Sequence, residues 1–424
     1  MNGREAIGML DIFSTAVIQA EADDTAGKGS LAFLPAFVRA QTMSAEQFLS
    51  LIERSGLTGK GGAHFPTHRK VSFMQNQESG EKCLIVNGGE HEPGSQKDRY
   101  LLETYPQTVI EGALILAHAV NANTILLAVN ASEEKAIARM KSAIVRIADE
   151  EYATKTGKPI LISVIGIADS YLVGEESALI EALEGREALP RRRPPFPIEQ
   201  GFHNNPTLVQ NVETVGHLPF IVAAGSARYR ALSAHDAGVT LCTFGPEFKN
   251  PGVCLVPFGI SLRDVVYAYG GGLQSGQPIK AVQPGGPAAG FLSDPELDVP
   301  FEYGALKQAG SALGCAAIRA FSQDDDMVLY VAETMAFFSN NSCGQCPSCR
   351  METHMLNSIM TQVVAKKANE KLLRQVPVII KNATIKPALC GLVQMPARPM
   401  LSALEKFPAE FRRYVDVIRQ PAVQ

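Results

Sequence analysis

The 424-residue sequence has no tryptophan, and aromatic residues make up only 7% of it. It also lacks a dominant charge: 39 Lys and Arg against 43 Asp and Glu leave a formal charge of -4. A chain-wide polyanion binder is thereby excluded, and no nucleic-acid partner is expected. Long apolar runs are missing too. Ala113 to Ala117 and Ile125 to Val129 fall far short of the roughly 20 residues that cross a bilayer, so no direct membrane insertion is expected. The first apolar stretch, Ile7 to Ala20, is broken by Asp11 and preceded by a single Arg4, which suits neither a signal peptide nor an Arg-rich presequence. The expectation is a cytoplasmic protein. Neither an internal repeat nor a low-complexity tract is present. With 46% hydrophobic residues the chain has no signature of disorder, and its length suggests two to three domains.

What the chain does contain is eight cysteines, 36 glycines and 26 prolines. In a reducing compartment, cysteines close in sequence point to metal or redox chemistry rather than disulfides. Cys343, Cys346 and Cys349 stand at C-x2-C-x2-C spacing, and Cys390 follows some forty residues later. A four-iron cube takes one thiolate per iron, and one tight loop can serve three corners. Structural zinc more often pairs two C-x2-C or Cys/His arms, so the spacing favours the cube. Cys83, Cys242, Cys254 and Cys315 lie in apolar contexts and are expected to pack in the core.

Residues 1–43 read as an N-terminal extension outside the main core. From Ser44 a helix is predicted, because Ser44 and Gln47 have capping-box spacing and Phe48, Leu51 and Ile52 recur at i, i+3, i+4. Strand-like runs at Cys83 to Val86, Thr124 to Val129 and Ile160 to Ile165 alternate with helical patterns at Thr108 to Val120, Ser132 to Glu150 and Glu176 to Glu184. That order predicts an α/β domain with a parallel sheet over 44–232. Short strands at Val239 to Phe244, Pro251 to Val256 and Ile279 to Val282, with a helix from Ser261 to Ala268, suggest a small β-grasp-like module over 233–322. A strand at Met327 to Val331 then leads into a helical region, 323–424, that carries the cysteine cluster.

Three loops could receive electrons for such a cluster. Gly59 to Gly62 would let backbone approach a phosphate or a flat ring, though it follows a helix and an ordinary tight loop explains it equally well. Asn87 to Gly94 follows the first strand, where open α/β sheets bind ligands. Tyr171 to Ser177 places Gly174 before Glu175 and Glu176 at a helix start, an arrangement that plain dipole capping also explains.

Together these features resemble the NADH-binding flavoprotein subunit of respiratory complex I and the related subunits of NAD-linked hydrogenases and formate dehydrogenases. The family's G-R-G-G-A-G-F-P-T-G-x-K-W loop is similar to Gly59-Lys60-Gly61-Gly62-Ala63-His64-Phe65-Pro66-Thr67-His68-Arg69-Lys70-Val71. Its N-A-D-E-G-E-P-G-T-x-K-D-R loop is similar to Asn87 to Arg99, and Y-x-x-G-E-E-T-A-L to Tyr171 to Leu179. K-P-P-F-P and P-T-x-x-N-N-V-E-T resemble Arg193 to Pro197 and Pro206 to Thr214, and S-C-G-Q-C-x-P-C-R resembles Ser342 to Arg350. The likeness runs in order from about residue 44 to the end.

The resemblance implies an NADH dehydrogenase subunit in which hydride passes from NADH to FMN and single electrons to a 4Fe-4S cluster. It implies FMN contacts at Gly59, Gly61, Gly62, Lys70, Asn87, Glu90, Gly174, Glu175, Asn211 and Thr214. NADH contacts are implied at Phe65, Phe73, Glu92, Tyr171, Glu176, Arg193 and Phe196, and cluster ligands at Cys343, Cys346, Cys349 and Cys390. No catalytic side chain is required, because the flavin takes the hydride. The β-grasp module would be the family's ubiquitin-like soluble-ligand-binding unit, and the partners a thioredoxin-like 2Fe-2S subunit with further redox subunits. Departures fall on the same loops: Gly89 replaces an Asp, Gln210 an Asn, Arg193 a Lys and Val71 a Trp, while His64, His68 and His91 replace glycines. Such histidines either narrow the nucleotide site or add a cation or hydrogen bond to it. The alternative reading is an FMN and 4Fe-4S relay with a closed nicotinamide site that exchanges electrons with proteins.

Overall fold

The computed structural model describes residues 11–23, 34–78, 80–147, 152–233, 235, 238–385 and 387–415. Its first unit is a four-stranded, all-parallel sheet of β1 (Cys83–Gly88), β2 (Thr124–Asn130), β3 (Leu161–Ile167) and β4 (Thr207–Asn211), in the order β3-β2-β1-β4. Alternate residues of these strands enter two cores. Leu84, Val86, Ile125, Leu127 and Leu208 face one, and Cys83, Ile85, Leu126, Ala128 and Val209 the other. Burial of both faces explains why the runs of β1 and β2 read as continuous apolar stretches, whereas β3 is an edge strand that leaves Leu161, Ser163 and Gly166 exposed. β4 was not expected as a strand, since Thr207 to Asn211 is only half apolar. It lies beside β1, so successive connections depart to opposite sides of β1, and the carboxyl ends of β1 and β4 mark the switch point where open α/β sheets form a ligand crevice.

The helix Ala45–Ser55 forms as predicted, with the reciprocal Ser44/Gln47 capping box and a left-handed Gly56 at its end. The predicted helix from Ser132 is Glu134–Ile147, and residues 148–150 lie outside the described residues. The N-terminal segment departs from expectation. Ile12, Phe13, Ile18, Leu34 and Phe37 are buried in the largest core, so these residues belong to the first unit rather than outside it. The reason is a docking contact not legible in sequence: Glu111, within helix Pro106–Val120, accepts the Ala36 and Phe37 amides at 2.7 and 3.1 Å and so caps helix Pro35–Gln41.

The second unit is a five-stranded sheet, β5 (Val239–Phe244), β6 (Gly252–Pro257), β7 (Ile279–Gln283), β8 (Leu292–Ser293) and β9 (Ala317–Ser322), in the order β6-β5-β9-β7-β8. Its first and last strands pair in parallel and its other pairs are antiparallel, which makes it the expected β-grasp. The strand predicted at Met327 to Val331 is instead the start of an α-helix, Met327–Asn340. Asp326 decides this, because its carboxylate accepts the Val328 and Leu329 amides at 2.9 and 3.2 Å. The final strand of the grasp is β9, ten residues earlier. Helices Met327–Asn340, Pro347–Val364, Val376–Ala383 and Ala397–Lys406 build the last unit around Met335, Phe338, Leu356, Met360 and Met400.

Candidate functional site

The glycine loop, the ends of β1 and β4, and the 171–176 turn converge. The Lys60 amide donates to Thr214 Oγ1 at 2.8 Å, and a Cβ at Gly61 would stand 3.3 Å from Asn211 Cβ. Asn211 cannot yield space readily: its Oδ1 accepts the Glu213 amide and the Lys97 ammonium (3.0 and 3.2 Å), and its Nδ2 donates to Asp98 at 2.6 Å. By contrast a Cβ at Gly174 would meet no protein atom within 4 Å. The 171–174 turn thus leaves open backbone of the kind a flat ring or a phosphate could approach. That is the fit an FMN requires.

A buried charge network supports this floor, and sequence reasoning missed it. Lys97 bonds Asp98 at 2.6 Å and Glu213 at 3.1 Å, all three being buried. Burial pulls the Lys97 pKa down, but Asp98 and Glu213 outweigh it and hold the ammonium charged. Glu213 also accepts Thr240 Oγ1 and the Leu241 amide at 2.9 and 2.8 Å, tying the β-grasp to the flavin unit. The K-D-R and V-E-T triplets were in the resembling motifs, yet nothing in the sequence showed that they meet.

Several expected ligand contacts are also structural. Glu90, at φ 45°, accepts Ser95 Oγ and the amides of Asp98 and Arg99 at 2.7 to 2.8 Å, and burial raises its pKa to about 7. Glu175 caps helix Glu176–Leu183 through Ser177 and Ala178 amides and pairs with Arg193. Lys70 Nζ lies 2.9 Å from Glu176 and 3.2 Å from the Val209 carbonyl, and Glu176 lies 3.1 Å from Arg193. Asn87 accepts the Gly89 amide at 3.0 Å. Phe65, Phe73 and Phe196 expose 38%, 44% and 47% of their surfaces, with the Arg69 guanidinium near the first two rings and that of Arg193 near the third. Glu92 is bonded to Tyr171, and burial raises its pKa to about 7.

The substituted positions are settled by packing. His64 bonds the Gly314 carbonyl at 3.1 Å and packs on Tyr303 of the β-grasp; burial lowers its pKa to about 4. His91 bonds Asp169 at 3.1 Å with only 2% of its side chain exposed, and burial lowers its pKa too. Its Nε2 stands 2.5 Å from where a Cβ at Gly89 would be, so Gly89 and His91 form a matched pair: the ring fills the sector a side chain at 89 would need. Neither imidazole adds a cation at neutral pH. His68 lies 3.9 Å from Glu53, and Val71 is a core residue.

Cys343, Cys346, Cys349 and Cys390 line one small cavity with Leu172, Ser342, Ala388 and Leu392. Among the described residues no three His, Cys, Asp or Glu side chains group closely enough to hold a metal ion. Four thiols around one cavity match the one-thiolate-per-iron need of a four-iron cluster. The Leu389 amide lies 3.3 Å from Cys346 Sγ and Ser342 Oγ 3.7 Å from Cys349 Sγ, the kind of donors that tune a cluster. Cys83 and Cys242 are buried, whereas Cys254 and Cys315 are half-buried.

Two family descriptions match the chain: the Nuo51 FMN-binding domain over residues 52–219 and the NADH-ubiquinone oxidoreductase-F iron-sulfur binding region over residues 329–414. An NADH-quinone oxidoreductase F-type subunit of Rhizobium meliloti (strain 1021) is 33% identical over 381 residues, 89% of this chain and 90% of the relative. The corresponding F-type subunit of Aquifex aeolicus (strain VF5) is 33% identical over 385 residues, 89% of this chain and 88% of the relative. The solved NAD+-reducing NiFe hydrogenase in the H2-reduced state aligns with TM-score 0.83 and 28% identity over 94% of this chain. The chain spans 66% of that hydrogenase chain. No helix among the described residues is long and apolar enough to cross a membrane. With an FMN-binding domain, an iron–sulfur region and this degree of identity across nearly its full length, the chain belongs to the family of NADH-oxidising flavoprotein subunits represented by the F-type subunits of NADH-quinone oxidoreductase.

Proposed function

We propose that this chain oxidises NADH at the crevice beyond β1 and β4, with FMN held by Gly59, Gly61, Gly62, Lys70, Asn87, Glu90, Gly174, Glu175, Asn211 and Thr214. Bound FMN supplies the exchange between a hydride donor and one-electron carriers, and a 4Fe-4S cluster on Cys343, Cys346, Cys349 and Cys390 supplies the first carrier. The protein contributes orientation. Phe65, Phe73 and Phe196 offer stacking faces to the dinucleotide, while Glu176 and Arg193, locked to each other and to Lys70, present fixed polar edges. Glu92, Tyr171, Gly89 and the buried His91 line or back the same loops and exclude water from them.

The observation that carries this reading is the place of the cysteine cavity. Leu172, in its wall, is two residues from Gly174, so one short turn separates the open flavin-side backbone from the cluster thiols. Tyr171 strengthens that junction, with its hydroxyl 3.1 Å from Met395 Sδ and its ring against Phe337. Electrons would leave for another subunit, which we assign as a thioredoxin-like 2Fe-2S protein within a larger redox complex. The test is anaerobic absorption with FMN and iron counts, then stopped-flow mixing with NADH. Rapid bleaching of flavin is expected, and a loaded protein that NADH does not reduce would overturn the proposal in favour of the relay.

A further inference from the structure

Arg69 has no part in holding the flavin or the cluster. It lies on the exposed stripe Phe65, Arg69, Phe73, where residues four apart share a face, with its guanidinium 5.7 Å from the Phe65 ring and 6.0 Å from the Phe73 ring. Both rings are among the large exposed apolar groups. Among the described residues Arg69 is paired with no carboxylate, although its neighbour Lys70 and the nearby Arg193 are. Two neighbouring carboxylates are taken by other cations: Glu175 by Arg193, and Glu176 by both Lys70 and Arg193.

That distribution matters for what kind of dinucleotide the face accepts. Sites restricted to NAD offer a free acid to the ribose 2′-hydroxyl, which repels a 2′-phosphate, whereas an arginine accommodates the phosphate. Here Lys70 and Arg193 are taken up by Glu175 and Glu176, Glu92 is bonded to Tyr171 with burial favouring its neutral form, and Arg69 keeps a positive charge that no carboxylate among the described residues pairs. Phe65 and Phe73 on either side hold the guanidinium in place and give an adenine a surface to stack on.

We infer that Arg69 is a 2′-phosphate-binding residue, so that the dinucleotide face accepts NADPH as well as NADH. The inference rests on the dinucleotide-site reading above. It concerns binding at the adenosine end, and leaves the path of hydride and electrons unchanged.

The test is calorimetric titration of the FMN- and cluster-loaded chain with two redox-inert probes, adenosine 2′,5′-bisphosphate and adenosine 5′-monophosphate. The bisphosphate is expected to bind about tenfold or more tightly than the monophosphate at low salt, the strength of one charge-assisted contact. In Arg69→Gln the ratio of the two affinities is expected to fall toward one, and in Arg69→Lys to be partly restored. A ratio near one in the parent protein, or a ratio that survives Arg69→Gln, overturns the role of Arg69. Failure of both probes and of NADH to bind overturns the dinucleotide reading itself.

Discussion

Gly174→Ala separates a ligand cradle from ordinary packing. In the protein alone the added methyl enters open space, since no atom lies within 4 Å of the Cβ position and the residue is not in the left-handed region. By restricting the unfolded chain, Gly to Ala at such a compatible site stabilises by about 0.4–1 kcal/mol. The folded flavin-free variant should therefore melt at or slightly above the parent temperature. A flavin ring lying on this backbone would meet the methyl directly, an overpacking that costs about 1–3 kcal/mol, or about 5- to 150-fold in FMN affinity. The assay is quenching of FMN fluorescence on titration into deflavinated protein, paired with a thermal melt of the same sample. Unchanged FMN affinity in a variant of unimpaired stability would refute the placement of flavin against the 171–174 turn. Lowered stability would refute the claim that the space there is open.

Three further outcomes are expected. Cys390→Ser should lower the iron content below about four per chain and bleach the cluster absorbance while FMN remains bound; full iron retention would remove Cys390 from the ligand set. Lys97→Met leaves Asp98 and Glu213 buried without their cation, so a loss of about 3–5 kcal/mol is expected, read as a lower melting temperature and weaker attachment of the β-grasp by hydrogen exchange. Burial raises Glu111 to about 7, above its unfolded value, so its contribution is fully present below the unfolded pKa and declines as pH rises through 7. Glu111→Gln should flatten that decline in melts between pH 5 and about 8, and an unaltered slope would show that other groups cause it.

The parts that sequence disclosed and concealed differ in a physical way. Capping at Ser44, the three runs of the parallel sheet and the C-x2-C-x2-C loop were legible because each depends on neighbours within a few residues. Met327 to Val331 misled because a short apolar run fits either a strand or a helix, and one carboxylate, Asp326, settles the matter. β4 was concealed for the opposite reason: its strand character comes from pairing with β1 and not from its own composition.

The site shows the same division. Sequence by itself disclosed the C-x2-C-x2-C thiols, the glycine loop, the strand-end loop and the 171–177 loop in their order, since spacing along the chain is what a tight loop or a cluster needs. Only tertiary structure decided what the substituted residues do. His64 is held by the β-grasp, His91 fills the volume that Gly89 leaves empty, and both are neutral, so neither supplies the cation that a histidine in such a loop suggests. Burial and partners set their charge, and these come from segments that are distant in sequence. The absent tryptophan resolves likewise: Val71, where the resembling motif carries one, is a core residue, and Phe65, Phe73 and Phe196 are the exposed phenylalanines of these loops.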